Sequence, residues 1–407
     1  MTRQSRWLAI VGIGEDGLDG LSPAARRLIA QASLVVGGAR HLKLAAVAGE
    51  RALAWPSPIE DALPTILARR DAPVCVLASG DPFFFGVGSL LMRHIPVDEM
   101  ICLPAPSAFS LAAARLGWSL QDCVTISLHG RALEAIIPHL QPRARLLALS
   151  WDGATPGKLA RLLAARGMGR SQLIICEAMG GPNERSRNAL AQDFAFNDVA
   201  ALNTIGLEVA AESGARAIPR SPGLPDALFE HDGQITKRQI RAMTLAALAP
   251  RSGELLWDVG AGSGSVAIEW MLCDPTNRAI AVERHPERAA RIARNAAALG
   301  VPGLTIVEGD APAALAGLAR PDAVFVGGGA SAPALLDHVF EALAPGGRLV
   351  VNAVTLQGQA ELVRQYERHG GDLVQAAIAR ADRVGRFHGW RPAMPVVQWS
   401  VAKPWPE

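Results

Sequence analysis

The sequence predicts an α/β protein of two consecutive domains, and three observations carry that prediction. Short β-branched runs alternate with longer Ala-, Leu- and Arg-rich stretches of helical period, the pattern of βαβ units and mainly parallel sheets. The alternation falters once, near residues 216–233, where Pro219, Pro222 and Pro225 fall within seven residues beside Gly and Ser. That is the composition of a linker, and it sets expected domains of 1–215 and 216–407. Each half also holds a glycine turn directly after an apolar strand, at Gly12-Ile-Gly14 and at Gly260-Ala-Gly262-Ser-Gly264. With 407 residues, 50% of them apolar and 19% charged, the chain is long enough for two cores and is not globally disordered.

The charge balance narrows the partners. Lys and Arg number 40 against 38 Asp and Glu, a formal charge of +2. Divided after Arg220, the counts are 22 against 19 and then 18 against 19, so neither half carries the basic field of a nucleic-acid grip. Arginines outnumber lysines 36 to 4, which fits either codon bias or many carboxylates to hold. Cys75, Cys102, Cys123, Cys176 and Cys273 form no CxxC and no close pair. This excludes a zinc cluster of ordinary spacing and a disulfide scaffold, and points to a reduced, cytoplasmic setting. No two of the nine histidines lie three or four residues apart, so no resident metal is expected. No apolar run approaches the ~18 residues of a membrane span. Leu8–Ile13 is followed at once by Glu15 and Asp16, which reads as a first strand and turn rather than a signal peptide.

The N-terminal series starts with a strand at Trp7–Ile13, a helix over Pro23–Ala32 and short strands at Leu34–Val36, Val74–Leu77 and Leu146–Leu149. Its first turn, Gly12-Ile-Gly14-Glu-Asp-Gly17, matches the GxGxxG of dinucleotide binders letter for letter. Two features oppose that reading. The next strand ends in Gly37-Gly38 where a ribose-binding acid is wanted, and Pro23 sets the helix start well past the glycines. More informative are Ser79-Gly80-Asp81-Pro82-Phe-Phe-Phe-Gly86 after a strand, Pro104-Ala-Pro106-Ser107-Ala108 opening an Ala-rich helix, and Ser127-Leu-His129-Gly130-Arg131 ending another strand. These motifs resemble the tetrapyrrole methylase family, in the branch that acts on the corrin ring at C-5. The resemblance implies two α/β subdomains and a S-adenosyl-L-methionine site that includes Gly12, Gly80, Asp81, Pro82, Ser107 and Ala108. His129 and Arg131 would meet the ring, or else form a structural turn. The family's usual Gly-x-Gly-Pro-Gly is here Gly-x-Gly followed by Glu15-Asp16, a departure from the pattern.

The C-terminal series opens on a helix at Gln239–Leu248. Leu255-Leu-Trp-Asp258-Val-Gly260-Ala261-Gly262-Ser263-Gly264 is then a strand and a glycine turn leading into a helix. Glycines permit the sharp bend and the close approach of a ligand. The next strand ends in Glu283, 23 residues after Gly260, where an acid accepts from both ribose hydroxyls. A third strand ends in Gly309-Asp310-Ala311, placed to hold an adenine amine, and Gly346-Gly-Arg-Leu-Val-Val-Asn352 follows. In order and spacing the set resembles the class I S-adenosylmethionine-dependent methyltransferases, a Rossmann-like domain. The lead-in from Asp226 through Gly233-Gln-Ile-Thr236-Lys237-Arg238-Gln-Ile-Arg241 resembles that of the decarboxylating, C-15-methylating proteins of vitamin B12 synthesis. The resemblance implies a donor site of Thr236, Gly260, Ala261, Gly262, Ser263, Gly264, Glu283, Asp310 and Ala311, with Asp258 bracing the turn. Asn352 and Thr355 would lie at the acceptor. Lys237, Arg238 and Arg241, with Arg383, Arg386 and Trp390 on a late Gly-containing loop, would bind a polycarboxylate, unless they form a helix's polar face and a solvated loop.

Two methylase folds in this order resemble the family of bifunctional, decarboxylating precorrin C-5,15-methyltransferases. That implies one S-adenosyl-L-methionine per domain and a tetrapyrrole substrate, precorrin-6B, converted to precorrin-8. It implies C-5 methylation by 1–215, C-12 acetate decarboxylation and C-15 methylation by 216–407, and a homo-oligomer. A sulfonium methyl is a strong electrophile and an enamine-like meso carbon a nucleophile, so the protein's task is positioning and exclusion of water. Accordingly no GxSxG and no Cys-His signature is present. Two other readings are a methyltransferase of RNA or protein, and a non-catalytic S-adenosylmethionine sensor. The even charge weighs against the first and the intact motifs in both halves against the second.

Overall fold

The computed structural model describes residues 6–332 and 334–405. The chain forms two compact units, one of Met1–Leu133 with His139–Ala217, the other of Ile218–Glu407 with Glu134–Pro138.

The first unit begins with a parallel sheet. Its elements are β1 (Leu8–Ile13), α1 (Pro23–Gln31), β2 (Leu34–Gly37), α2 (Ala39–Leu44), β3 (Ala52–Ala54), α3 (Leu63–Leu67), β4 (Val74–Ser79), α4 (Gly88–Leu91) and β5 (Met100–Leu103). The strand order is β3-β2-β4-β1-β5, and every pairing is parallel. All six residues of β1 are buried, because both faces of a parallel sheet are covered. Leu8, Ile10, Val36 and Val76 pack on one face, and Ala9, Val11, Val35 and Leu77 on the other. Helix α1 starts at Pro23, with the Ser22 hydroxyl accepting from Ala25 N, a polar cap followed by proline in the first turn.

After α5 (Ala108–Leu116) comes a second five-stranded sheet. It contains β6 (Cys123–Ser127), β7 (Arg145–Leu149), α6 (Thr155–Ala165), β8 (Gln172–Glu177), β9 (Arg185–Leu190) and β10 (Asn203–Glu208), in the order β6-β7-β10-β8-β9. Here the expectation of mainly parallel pairing is corrected: β6–β7 is parallel, but the other three pairings are antiparallel. The connections from β8 to β9 and from β9 to β10 contain no α-helix, and a parallel return needs a crossover of a dozen or more residues.

The second unit is a seven-stranded sheet with helices and a separate hairpin. Its elements are α7 (Arg238–Leu248), β11 (Leu255–Val259), α8 (Ser265–Cys273), β12 (Arg278–Glu283), α9 (Pro286–Leu299), β13 (Thr305–Glu308), β14 (Ala323–Val326), α10 (Leu335–Ala342), β15 (Arg348–Ala353), α11 (Leu356–His369), β16 (Asp372–Ala376), β17 (Ala379–Val384), β18 (Phe387–Pro392) and β19 (Val396–Ala402). The order is β13-β12-β11-β14-β15-β19-β16, with β19 antiparallel to both its neighbours. Strands β17 and β18 form a separate hairpin. Among the described residues no helix is long and apolar enough to cross a membrane.

Candidate active sites

In the first unit β4, β1 and β5 lie side by side and parallel, so the loops after them share the carboxyl edge where ligands of open α/β sheets bind. Gly12 decides how close those loops come. A Cβ there would lie 1.9 Å from Gly80 O and 2.5 Å from Ala105 N. The same backbone atoms are hydrogen bonded, Ala105 N donating to Gly80 O at 3.1 Å and Gly80 N to Ile13 O at 3.3 Å. Gly80 itself has φ +54°. Asp81 Oδ1 accepts from Phe83 N at 2.9 Å, and Pro82 O accepts from Gly88 N at 2.8 Å. Ser107 is the buried N-cap of α5, its hydroxyl accepting from Ser110 N at 3.1 Å, so Ala108 opens the helix. The structure thus gathers Gly12, Gly80, Asp81, Pro82, Ser107 and Ala108 at one edge.

Arg131 joins the same place through an aromatic. Its guanidinium stands 5.6 Å over the Phe85 ring. Phe84 and Phe85 pack on Phe109 at 4.9 and 5.8 Å, yet Phe85 remains 45% exposed and holds φ +58°. A bulky residue in the left-handed region is strained, and such strain collects at functional sites. His129 is paired with Trp151, 6.5 Å between centroids. The signal for these rings was three consecutive phenylalanines just after a strand end.

In the second unit Gly260, Gly262 and Gly264 all have positive φ, +71°, +59° and +73°, and Gly264 is the N-cap of α8. Val282 O accepts from Gly260 N at 2.9 Å and Ala261 N at 3.1 Å. The buried Glu283 carboxylate accepts from Gly262 N at 2.9 Å and from His285 N at 3.0 Å, so it lies against the turn. Gly309 N donates to Glu283 O at 3.1 Å, which brings the exposed Asp310 and the partly buried Ala311 to the same edge. Asp310 is 3.9 Å from the Arg284 guanidinium. The turn leaves room for a ligand: a Cβ on Gly262 would meet Gln234 O at 3.5 Å, and one on Gly328 would meet Gly260 O at 4.0 Å. Ser263 Oγ and Asp258 Oδ1 are buried with no hydrogen-bond partner among the described residues. The cradle therefore fits a nucleoside-bearing donor. Asp258 Oδ2 accepts from Ala267 N at 3.0 Å and braces α8. Burial pushes its pKa up to about 7, opposed by that hydrogen bond and aided by the Glu283 charge.

Asn295 is a positioning residue that sequence reading missed. Its amide accepts from Glu230 N at 2.8 Å and donates to Glu230 O and to Ser263 O, each at 2.9 Å. It ties the lead-in segment to the glycine turn. Its signal was a polar residue in the apolar stripe Ala289, Ile292, Asn295, Ala296, Leu299 of α9. Arg288, Arg291 and Arg294 on that helix pair with Glu230 and Asp232 of the same segment, holding it beside Thr236.

The cations expected at the substrate divide. Arg241 is corrected: its side chain is fully buried, paired with Glu269 and with Asp226 at 3.2 Å, and donates to Leu224 O and Thr236 O. A buried charge must be satisfied by its neighbours, so this one holds the linker and has no face for a ligand. Arg238 Nε donates to Gly223 O at 2.7 Å, and Lys237 is exposed at the start of α7. Arg383, Arg386 and Trp390 lie on the β17–β18 hairpin rather than on a loop, with Gly385 at φ +61° in its turn. Arg383 pairs with His388 and Ala381 with Trp390, so Arg383 and Trp390 share one face, and Trp390 is 76% exposed. Arg380 donates to Gln239 Oε1 at 2.6 Å, tying the hairpin to α7. Asn352 donates to Thr244 Oγ1 and accepts from Gln398 Nε2, both at 2.9 Å. Thr355 caps α11, accepting from Gly358 N at 3.2 Å.

Comparison with known proteins follows this division. Residues 8–195 match the family described as Tetrapyrrole (Corrin/Porphyrin) Methylases, and residues 227–403 match the Precorrin methyltransferase domain. A precorrin-6Y C(5,15)-methyltransferase [decarboxylating] of Sinorhizobium sp is 57% identical over 98% of this chain and 97% of its own length. The chain belongs to that family. Two shorter relatives of these decarboxylating methyltransferases match under half of it. A cobalt-precorrin-7 C(5)-methyltransferase of Salmonella typhimurium is 35% identical over 48% of this chain and 98% of its own. A probable cobalt-precorrin-6B C(15)-methyltransferase (decarboxylating) of Pyrobaculum calidifontis is 36% identical over 41% and 89%.

Proposed function

We propose that the two halves divide the family's reactions. As a member of that family the chain is a decarboxylating precorrin C(5,15)-methyltransferase of cobalamin biosynthesis, with S-adenosylmethionine as methyl donor. In our reading residues 1–215 methylate C-5, and 216–407 remove carbon dioxide from the C-12 acetate and methylate C-15. Each half holds its own donor, and precorrin-6B leaves as precorrin-8. The observation that carries this reading is the presence of two glycine-lined edges of different construction, one on Gly12–Gly80–Ser107 and one on Gly260–Gly264–Glu283. The existence of separate C(5) and C(15) relatives, each matching under half of the chain, supports it. Free cysteines fit a cytoplasmic setting, and a homo-oligomer is part of the proposal.

When bound, S-adenosylmethionine supplies an electrophilic methyl group. In the N-terminal half the Asp81 turn and α5 would seat it, while Arg131 and Phe85 hold the ring in line. In the C-terminal half the glycine turn, Thr236, Glu283 and Asp310 would seat it. Asn352 and Thr355 would stand at the acceptor, and Lys237, Arg238, Arg383, Arg386 and Trp390 would take the macrocycle's carboxylates and flat face. Positioning and dehydration are what each half contributes to rate.

The test is mass spectrometry of the product made by full-length variants with a trideuteromethyl donor. Asp81→Ala is expected to lose the C-5 label while keeping decarboxylation and C-15 transfer, and Glu283→Ala to weaken the C-15 label. Loss of C-15 transfer alone in Asp81→Ala would overturn the assignment.

A further inference from the structure

The carboxyl edge of the first sheet holds a polar cluster outside the residues assigned so far. Strands β2, β4 and β1 are parallel neighbours, so the residues after them meet. Arg40 and His41 open α2, Ser79 ends β4 one residue before Gly80, and Glu15 follows β1. Arg40 Nη2 donates to Ser79 Oγ at 3.0 Å and to His41 Nε2 at 2.9 Å, and Ser79 Oγ lies 2.8 Å from the same Nε2. Arg40 Nη1 forms an ion pair with Glu15. A guanidinium can only donate, so Nε2 accepts and the ring hydrogen sits on Nδ1. Burial, and then the charge of Arg40, push the imidazole pKa down to about 4, so the ring is neutral at neutral pH and adds no competing charge. Nδ1 is buried with no hydrogen-bond partner among the described residues, an unmet donor beside a cation that is still 39% exposed.

We infer that Arg40, oriented by His41 and Ser79, binds an alkyl carboxylate of a reactant beside the N-terminal donor site, with Glu15 filling its place in the free protein. Exchange of one carboxylate for another keeps the guanidinium paired throughout, so the site opens without leaving a bare charge. Two reactants carry such a group, the acetate and propionate arms of the macrocycle and the methionyl end of the donor. The inference rests on the reading that this half methylates C-5.

The experiment uses the full chain and reads C-5 product formation for the tetrapyrrole KM. Donor affinity is read by calorimetry in a Glu283→Ala background, where the C-terminal site is weakened. Arg40→Ala should raise one of those constants by about 10- to 100-fold, the loss of a hydrogen bond between charged groups, and Arg40→Lys should recover part of it. A shift in the tetrapyrrole KM assigns the carboxylate to the macrocycle, and a shift in donor affinity assigns it to the donor. Glu15→Gln should move the same constant the opposite way, by up to a few-fold, because the competing carboxylate is gone. If Arg40→Ala and Glu15→Gln impair the protein alike, the pair is a structural tie and the inference fails, as it does if neither constant moves. Asp81→Ala run in parallel separates the two readings. If it spares C-5 methylation, the assignment of halves fails. If it abolishes that step while Arg40→Ala leaves both constants alone, only the carboxylate site fails.

Discussion

The two glycine turns look alike in the sequence and work differently in the fold. At Gly12 the backbone is in an ordinary conformation, and glycine is required because Gly80 O and Ala105 N occupy the space of a side chain. The next helix starts nine residues beyond Gly14, at Pro23. At Gly260, Gly262 and Gly264 the backbone is left-handed, and α8 begins at the next residue; Gly264 is also packed, since a Cβ there would lie 2.7 Å from the Ile292 side chain, whereas Gly262 is open. The first turn is a packing device that draws three loops together, so ligand contacts come from those loops. The second is a bending device whose backbone stays open at Gly262. A glycine motif is therefore read by what its missing Cβ would strike.

The sharpest way to break this contrast is Gly12→Ala. Its Cβ strikes backbone that cannot step aside, so C-5 methylation should fall by about 100-fold or more and the first unit should lose about 3 kcal/mol in urea unfolding. C-15 transfer should hold. Next comes Glu283→Gln, which removes one of two acceptors at the turn. Donor affinity of the C-terminal site should fall about 10-fold in calorimetry, with the N-terminal equivalent unchanged. Gly262→Ala should cost only the left-handed penalty, about 1 kcal/mol, because the space beside it is open. If it cost as much as Gly12→Ala, the distinction between packing and bending would be wrong.

A further test is a pH dependence that belongs to the second turn. The Asp258 carboxyl has a folded pKa of about 7 against about 3.9 unfolded. The folded state therefore binds the extra proton between those values. Its contribution to stability should be greatest below about pH 4, decline as pH rises toward 7, and level off above it. Asp258→Asn should flatten that part of the curve in thermal melts of the second unit. An unchanged slope would mean that this carboxyl does not titrate there.

Much of the scaffold was legible. β1 and β4 are largely apolar runs and β11 one interrupted only by Asp258, each leading into a glycine, and Pro23 marked the start of α1. What was not legible has physical reasons. β9 reads Arg-Ser-Arg-Asn-Ala-Leu and has no apolar pattern, because it is an edge strand paired on one side only. The β17–β18 hairpin was expected as a loop for the same reason, since most of its residues face solvent. Arg241 was expected to be a surface cation, because helical spacing does not reveal that Glu269, 28 residues away, waits inside. Arg40 and Ser79 are 39 residues apart, and only strand order makes them neighbours.

The linker has a role beyond joining. Glu269 accepts from Gly223 N at 2.6 Å and Leu224 N at 2.9 Å while pairing with Arg241. The stretch that resembles a portable module starts at residue 227, yet its interior is plugged by residues upstream of that point. A gene cut at 227 would encode a polypeptide with a hole in its floor, Glu269 stripped of two amide donors. A cut at 218 would carry the plug along. Whoever transplants this half into another pathway enzyme must take the prolines with it.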